Sequence, residues 1–486
     1  MIIEINIKSL HINYLPERER ERETLDIVIR AEEIIVINKS LSLHTFYFIT
    51  LDDVVYISTS QSKFKKIINL EIVTDVAIEN IALVNQLSDS STFTNVESLN
   101  PGENLTVSNG KVSKGIQFDP SELLATDAAL PKILDYEQAS DILLSAVKNC
   151  LKESPKPKLL ALSGGVDSRL IAAAMLYIGE RPTCYTMGAP DESDVTVAKS
   201  LTLSAGLKWH HFNPASVDHL PSDMTELKKY IKVFAEYSLN STSLSASIRR
   251  LPVYDFASSH HLIDGGFGEI FRSRYLYKLR YLNLIKRIGT KDIAHQLFAR
   301  NHRTGDQFRS RIEKKVEEMW NKTSSLSLPE RLDIFSIATR LKHFGGAEHR
   351  RLNSFIHSSM PFASDDLLRQ MFKIHPRVRS SKRFIAYCIH KWHSDWDAIP
   401  FTKFEQTQKL FQPDMFAKMG RYFNSKNGTI SSNRDVIINL YSDEFESLWQ
   451  RYGDFGIFTT QSGTTPKELN DIIHPLEWLT LALARD

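Results

Sequence analysis

Short β-branched runs alternate with polar turns along the first 118 residues of the chain. This pattern predicts strands that are joined by tight connections. We therefore expect an all-β or α+β unit at the start of the chain. The predicted strands are Ile2–Ile7, Thr24–Ile29, Glu33–Ile37, Thr45–Thr50 and Val54–Ser58.

From about residue 135 the pattern changes to alternating helical and strand-like segments. Tyr136–Leu151 has the spacing of an amphipathic helix, and Pro155 and Pro157 follow it as helix breakers. Helices that alternate with short apolar strands are typical of a doubly wound parallel sheet, which binds ligands beyond the carboxyl ends of its strands. The predicted strands are Leu159–Leu162, Thr183–Met187, Trp209–Phe212 and His261–Asp264.

The same patterns divide the chain into two predicted domains. The first covers residues 1–120, and the stretch from Pro120 to Pro131 is predicted to be a linker. The second covers residues 135–486, in which the α/β pattern gives way after about residue 272 to a mostly helical part. At 486 residues the chain is long enough for this arrangement.

Composition narrows the class of protein without identifying it. The chain is 42% apolar and 24% charged, with a net charge of +2, so we expect a globular protein that has no nucleic-acid partner. Its three cysteines are far apart, which suits a reducing compartment. Neither a signal peptide nor a run of 18 apolar residues is evident, so we predict a cytoplasmic protein that does not enter a membrane.

Ser163–Ser168, with the sequence Ser-Gly-Gly-Val-Asp-Ser, is the most informative motif. It connects an apolar strand to a helix. A glycine-rich turn lets the backbone approach an anion, and the start of a helix offers free N–H groups. The two serines add hydroxyl donors, and Asp167 adds a carboxylate that suits Mg²⁺. The motif therefore predicts a site for a phosphate chain.

This motif resembles the pyrophosphate loop of the N-type ATP pyrophosphatases, and the longer match is to asparagine synthetases. Three further stretches support the resemblance: Cys184–Gly188, Asp264–Phe271 and Glu348–Phe355 with its continuation to Asp366. The resemblance implies ATP and Mg²⁺ as cofactors. The residues that it implies for nucleotide binding are Leu162, Ser163, Gly164, Gly165, Asp167, Ser168, Met187, Gly265, Gly266 and Arg272.

The resemblance also implies a metal site and catalytic residues. Asp167 would be the first metal ligand, but the family's second metal aspartate falls on Gly268. Either Glu269 or Asp264 would then supply the second carboxylate. Lys403 lies where related synthetases carry a catalytic lysine, with Lys382 and Lys391 as alternatives. Glu269 and Tyr275 are the other predicted catalytic residues, and Tyr275 would orient the amine.

The first domain resembles the glutamine-hydrolysing, Ntn-hydrolase-like domain of asparagine synthetases, through Val54–Ser60 and the Pro-Gly hairpin that begins at Leu99. A glutaminase of this class needs a cysteine directly after the initiator Met, and here that residue is Ile2. We therefore expect a degenerate α+β domain that does not hydrolyse glutamine.

Lasso-peptide cyclases and β-lactam synthetases are relatives that also lack this cysteine, and the resemblance to them implies amide-bond formation without glutamine. The expected partner is a carboxylate-bearing substrate, with a precursor peptide and its protease or leader-binding protein favoured. Two alternatives stay open. One is an ammonia-dependent amidotransferase or β-lactam synthetase that acts on a small molecule or a sugar, and the other is a nucleotide-binding pseudoenzyme that serves as a scaffold.

Overall fold

Two antiparallel sheets pack face to face in the N-terminal part of the chain. The computed structural model describes residues 2–15, 25–83, 86–213, 225, 250–273, 288–297 and 306–401. Every second side chain of strands such as β1 (Ile2–Asn6) and β4 (Glu33–Asn38) is buried. The buried isoleucine, valine, leucine and phenylalanine side chains of both sheets form one shared core. The first sheet has the order β2-β1-β6-β5-β7 and the second the order β3-β4-β8-β9. The strands are β1 (Ile2–Asn6), β2 (Ile12–Leu15), β3 (Leu25–Arg30), β4 (Glu33–Asn38), β5 (Phe46–Leu51), β6 (Val54–Ser58), β7 (Glu97–Leu99), β8 (Glu103–Ser108) and β9 (Lys111–Ile116).

The five strands predicted in this region are present, each within one residue of its predicted ends. The hairpin between β8 and β9 turns at Asn109 and Gly110, whose φ angles of 50° and 71° are those of a tight two-residue turn. One helix, α1 (Thr74–Ala82), also lies in the described part of this region. The arrangement agrees with an α+β unit, and its Ntn-hydrolase-like identity stays a prediction.

The stretch from Pro120 to Pro131, which the sequence predicts to be a linker, contains a helix. Helix α2 (Pro120–Ala128) begins with a proline at its first position, and Asp119 caps it by accepting a hydrogen bond from the Ser121 N–H at 2.8 Å. Leu124 and Ala128 are buried in the hydrophobic core that contains the parallel sheet. The segment therefore packs as part of the fold.

A five-stranded parallel sheet organises the second part of the chain and confirms the predicted α/β fold. Its order is β12-β11-β10-β13-β14, so the direction of winding reverses beside β10. The strands are β10 (Lys158–Ala161), β11 (Thr183–Met187), β12 (Trp209–Phe212), β13 (His261–Asp264) and β14 (His357–Ser359). In a sheet of this kind the crevice outside the strand ends at such a reversal is the preferred place for a ligand.

Helices cover this sheet and form most of the described chain after residue 287, as predicted. Ile337–Gly345 is a π-helical segment between two of them. Among the described residues, no helix is long and apolar enough to cross a membrane. The helices are α3 (Tyr136–Lys152), α4 (Val166–Tyr177), α5 (Ser193–Ser204), α6 (Leu251–Ala257), α7 (Gly268–Phe271), α8 (Thr290–Leu297), α9 (Asp306–Asn321), α10 (Leu328–Ser336), α11 (Gly346–Phe355), α12 (Asp365–Gln370), α13 (Pro376–Arg379) and α14 (Lys382–His393).

A loop between β4 and β5 joins the two parts of the chain. Leu41 and Leu43 are buried in the hydrophobic core that contains the parallel sheet. The backbone N–H of Leu41 donates to both carboxylate oxygens of Asp365 at 3.2 Å, and Arg350 donates to the carbonyl oxygen of Leu43 at 3.3 Å. Because apolar burial and directed hydrogen bonds coincide here, the loop holds the sheets of the first part against α11 and α12.

Asp365 makes this contact dependent on pH. Burial raises the pKa of the Asp365 carboxyl from its ordinary value of 3.8 to about 6, and the Leu41 N–H opposes this only in part. The folded protein therefore holds this proton more tightly than the unfolded chain, and stability falls as the pH rises between these two values. Asp365→Asn keeps an acceptor for Leu41 and removes the buried charge, so we expect it to raise the midpoint of thermal unfolding at pH 8 by roughly 1–2 °C.

The control is Asp366→Asn, because Asp366 is the exposed neighbour of Asp365. Thermal scans of both variants and the wild type should show no gain for Asp366→Asn, and the gain of Asp365→Asn should vanish near roughly pH 4. Equal midpoints for Asp365→Asn and wild type at pH 8 would contradict the assignment.

Candidate functional site

A cavity of about 630 Å³ opens at the carboxyl ends of the parallel strands, where the winding of the sheet reverses. Its walls come from the ends of β10, β11 and β13, the start of α4, and side chains of α6 and α11. The predicted site residues that line it are Leu162, Ser163, Gly165, Asp167, Ser168, Met187, Asp264, Gly265, Gly266, Glu269 and Arg272. Residues that are distant in the sequence thus share one wall.

The loop at Ser163–Ser168 is closed by its own serines. The Ser163 N–H donates to the Ser168 hydroxyl at 3.0 Å, and the two hydroxyl oxygens are also 3.0 Å apart. Gly165 precedes the first residue of α4, and its N–H donates to the Ser163 hydroxyl at 3.1 Å. The loop is therefore closed by hydrogen bonds at the N-terminal end of α4. The start of a helix is favourable for an anion.

The segment that follows β13 packs directly on this loop. A Cβ atom on Gly265 would lie 2.8 Å from the backbone N and Cα of Ser168, a distance that only glycine avoids. Phe267 and Ser273 flank the short helix α7 with left-handed φ angles of 67° and 54°. Such conformations in non-glycine residues persist only where the surroundings hold them, and they concentrate at functional sites.

Two arginine–carboxylate pairs lie on the wall of the cavity. Arg272 donates to both oxygens of Asp167 at 2.8 Å, and Arg340 donates from Nε to Glu269 at 2.8 Å. These side chains are only partly buried. Pairs of this kind place two positive and two negative groups where a charged ligand would enter.

The Asp167–Arg272 pair explains why residue 268 is a glycine. A Cβ atom at this position would lie 2.4 Å from Cγ of Asp167. The position that carries the family's metal aspartate, as the resemblance implies, is therefore occupied by the one residue that leaves room for Asp167 and its bond to Arg272.

Asp264 differs from the other carboxylates of the cavity because its bond is to the backbone. Its Oδ1 accepts from the Gly266 N–H at 2.9 Å. Burial raises the pKa of the Asp264 carboxyl, and the hydrogen bond from Gly266 opposes this. Both Asp264 and Glu269 line the cavity, so the choice between them as second metal ligand stays open.

A polar network at another part of the cavity wall was missed by the sequence analysis. Arg351 is fully buried and donates to the hydroxyl of Tyr254 and to Glu348. Arg250 lies 3.8 Å from the same Glu348 carboxylate. The spacing of Glu348 and Arg351 by one helical turn was visible in the sequence, but nothing local indicated that Tyr254 or Arg250 would meet them.

A buried ion pair between Arg379 and Asp333 holds the residues at the C-terminal end of α7 in place. Arg379 and Asp333 are 0% and 1% exposed, and they are joined at 2.7 Å. Arg379 also donates to the Phe271 carbonyl oxygen at 2.7 Å, and the Ser273 hydroxyl donates to Asp333 at 3.0 Å. Phe271 and Ser273, the residues before and after Arg272, are therefore held in place, which helps to keep the Arg272 guanidinium beside Asp167.

Arg169 connects the loop helix to the last described residues. It is fully buried and donates to the carbonyl oxygens of Ile399 at 2.7 Å and Pro400 at 2.6 Å. Its guanidinium also lies 3.9 Å from the ring centre of Phe401, which lines the cavity. The two other predicted catalytic residues, Lys403 and Tyr275, lie outside the described residues.

The fold and the site define a class: a parallel α/β domain with a glycine-rich loop of the phosphate-binding type at the reversal of its sheet. Residues 138–250 match the family model described as asparagine synthase. The chain is also 31% identical over 127 residues to a protein named probable asparagine synthetase (glutamine-hydrolyzing) from Acanthamoeba polyphaga mimivirus. That alignment covers 24% of this chain and 22% of the mimivirus protein. The two matches support an asparagine synthetase-like family for this part of the chain.

The contact at Gly265 gives a direct test of the packing around the loop. Gly265→Ala forces its new methyl group against the backbone of Ser168, and overpacking of this kind costs about 1–3 kcal/mol. We expect a lower midpoint in thermal unfolding for this variant. Gly266→Ala is the matched control, because its Cβ atom would lie 3.4 Å from the nearest atom, an ordinary contact distance. Equal midpoints for the two variants would show that the close approach is absent.

Proposed function

We propose that the chain is an ATP-dependent amide-bond-forming ligase that adenylates a substrate carboxylate and joins it to an amine without hydrolysing glutamine. The observation that carries this proposal is the Ser163–Ser168 loop, closed around the start of α4 at the edge of a cavity large enough for a nucleotide. The asparagine synthase match supports the same activity, because that family uses ATP.

Several groups of the chain would take part in such a reaction. The loop N–H groups and the serine hydroxyls would bind the departing pyrophosphate, which is catalysis by positioning and by electrostatic stabilisation. Arg272 offers a planar fork that matches phosphate oxygens in two places. In this proposal the carboxylate attacks the α-phosphorus, which forms an acyl-adenylate and releases pyrophosphate. The amine then attacks the acyl carbon, which forms the amide and releases AMP.

The carboxylates on the cavity wall fit Mg²⁺ in kind, since this ion prefers oxygen ligands and is held by one or two carboxylates together with phosphates. Asp167 and Glu269 are the candidates, and Asp264 is the alternative to Glu269. Arginine side chains hold Asp167 and Glu269 in this structure. These carboxylates would hold the ion, which would neutralise phosphate charge, and Arg272 and Arg340 would offer positive charge to the phosphate oxygens.

We favour a peptide as the substrate, with a macrolactam as the product. An acidic side chain of the peptide would be activated and its α-amine would close the ring. Arg250 and Glu348 support this choice, because both line the cavity and together offer both signs of charge to an acid and an amine. The buried Arg351 holds Glu348 and Tyr254 in place. A precursor peptide with a protease or leader-binding protein is the corresponding partner.

A nucleotide-binding scaffold without activity is the second candidate. It is favoured by Gly268, which removes a carboxylate from the wall, and by Arg272, which engages both oxygens of Asp167. A scaffold would bind ATP and release no pyrophosphate with any acid.

Pyrophosphate release by the wild type distinguishes these candidates, and Asp167→Asn then tests the metal role of Asp167. The amide retains the shape of the side chain but loses the charge that a cation needs, so we expect pyrophosphate release to fall at least about 100-fold, or 2.7 kcal/mol. The measurement is a coupled pyrophosphate assay, with thermal unfolding as the check on folding.

Asp255→Asn is the control for this variant, because Asp255 is exposed on the helix that carries Tyr254. It should release pyrophosphate at the wild-type rate. Undiminished release by Asp167→Asn would remove the metal role of Asp167, and ATP binding without release in the wild type would favour the scaffold.

Mass spectrometry tests the substrate class. The full chain would be incubated with ATP, Mg²⁺ and linear peptides that carry a free α-amine and one acidic side chain at varied distances. Loss of one water with disappearance of the free amine is expected for cyclisation. Conversion of a small acid to its amide only when ammonia is added would instead support the amidotransferase.

A further inference from the structure

A second cluster of potential metal ligands lies at the amino ends of the parallel strands, opposite the cavity at their carboxyl ends. His261 and His357 are the first residues of β13 and β14, and they are register partners. Their ring centres are 4.4 Å apart. Glu153, which caps the C-terminal end of α3, lies next to them. One potential ligand atom from each residue falls within 4.8 Å of the others.

The cluster is connected by a chain of hydrogen bonds. Nε2 of His261 lies 2.7 Å from the Ser359 hydroxyl, which donates to Oε2 of Glu153 at 2.5 Å. The other ring nitrogen of His261 lies 3.4 Å from the ammonium group of Lys158, the first residue of β10. The Ser359 hydroxyl thus lies between an imidazole nitrogen and a carboxylate oxygen.

We propose that His261, His357 and Glu153 bind a divalent transition metal, best matched by Zn²⁺, which ties the edge strand β14 to the end of α3. Two imidazoles and one carboxylate are ligands that Zn²⁺ takes, and the Ser359 hydroxyl or a water would complete a tetrahedron. Ligand atoms in such a site are roughly 3.3 Å apart, so side-chain rotations close the remaining distance.

Apart from the Lys158 ammonium group, the surroundings of the cluster favour a cation of this kind. The carbonyl groups at the C-terminal end of α3, a 17-residue helix, carry partial negative charge. His261 is fully buried and His357 is half-buried, whereas Glu153 is exposed, which leaves a path from solvent. β14 has three residues and lies at the edge of the sheet, so a metal bridge would stabilise a strand that has one paired neighbour.

The position separates this site from the nucleotide cavity. His261 begins β13 and Asp264 ends it, so the two lie about 10 Å apart along the strand. The metal is therefore structural in this proposal, and its binding does not depend on ATP or on an amide substrate.

Zinc titration tests the proposal directly. Full-length protein would be stripped with EDTA, dialysed, and titrated with Zn²⁺ against a chromophoric chelator in excess Mg²⁺. We expect one Zn²⁺ per chain with a dissociation constant tighter than roughly 1 µM. Glu153→Gln and His357→Gln should each weaken binding at least about tenfold. Zn²⁺ should raise the thermal midpoint of the wild type and not that of Glu153→Gln.

Two further variants sharpen the result. Lys158→Met removes the ammonium group that competes for His261, so it should bind Zn²⁺ more tightly than the wild type. His11→Gln replaces an exposed histidine of the first sheet region and should bind as the wild type does. Equal affinity of wild type and Glu153→Gln, or no stoichiometric uptake by the wild type, would overturn the site and leave a hydrogen-bonded chain. Glu153→Gln decides the matter even if His357→Gln fails to fold, because Glu153 is exposed.

Discussion

The candidate site depends on the close packing of residues 265–272 against the Ser163–Ser168 loop. Gly265 lets this segment approach the backbone of Ser168, and Gly268 leaves room for the side chain of Asp167. Arg272 then spans the contact with two hydrogen bonds to Asp167. Because a methyl group at either glycine would push these two elements apart, the shape of the cavity follows from the absence of two side chains.

Ion pairs are the second organising feature, and their contribution to stability differs with how deeply they are buried. The Asp333–Arg379 pair is buried, so desolvation offsets much of its attraction, and its value lies in the geometry that it imposes on Phe271 and Ser273. The Asp167–Arg272 and Glu269–Arg340 pairs are partly exposed. They cost less to separate, which suits groups that exchange their partners when a charged ligand arrives.

Much of the fold could be predicted because local patterns decide it. The predicted strands Thr183–Met187, Trp209–Phe212 and His261–Asp264 coincide with the observed ones, since a short apolar run between helices has few other solutions. The helix after Pro120 was not predicted, because proline occurs both in loops and at helix starts, and the burial of Leu124 depends on distant residues. The strand β14, with only three residues, is too short to produce a pattern.

The sequence by itself determined most of the strands and helices and the residues of the Ser163–Ser168 loop, because helix starts and glycine turns depend on a few neighbouring residues. Only the tertiary structure decided which side chains meet across the cavity. Arg169 reaches carbonyl oxygens some 230 positions away, and Arg351 meets Tyr254 across 97 positions. Such contacts depend on the order of strands in the sheet and on the packing of helices over it, which no local pattern encodes.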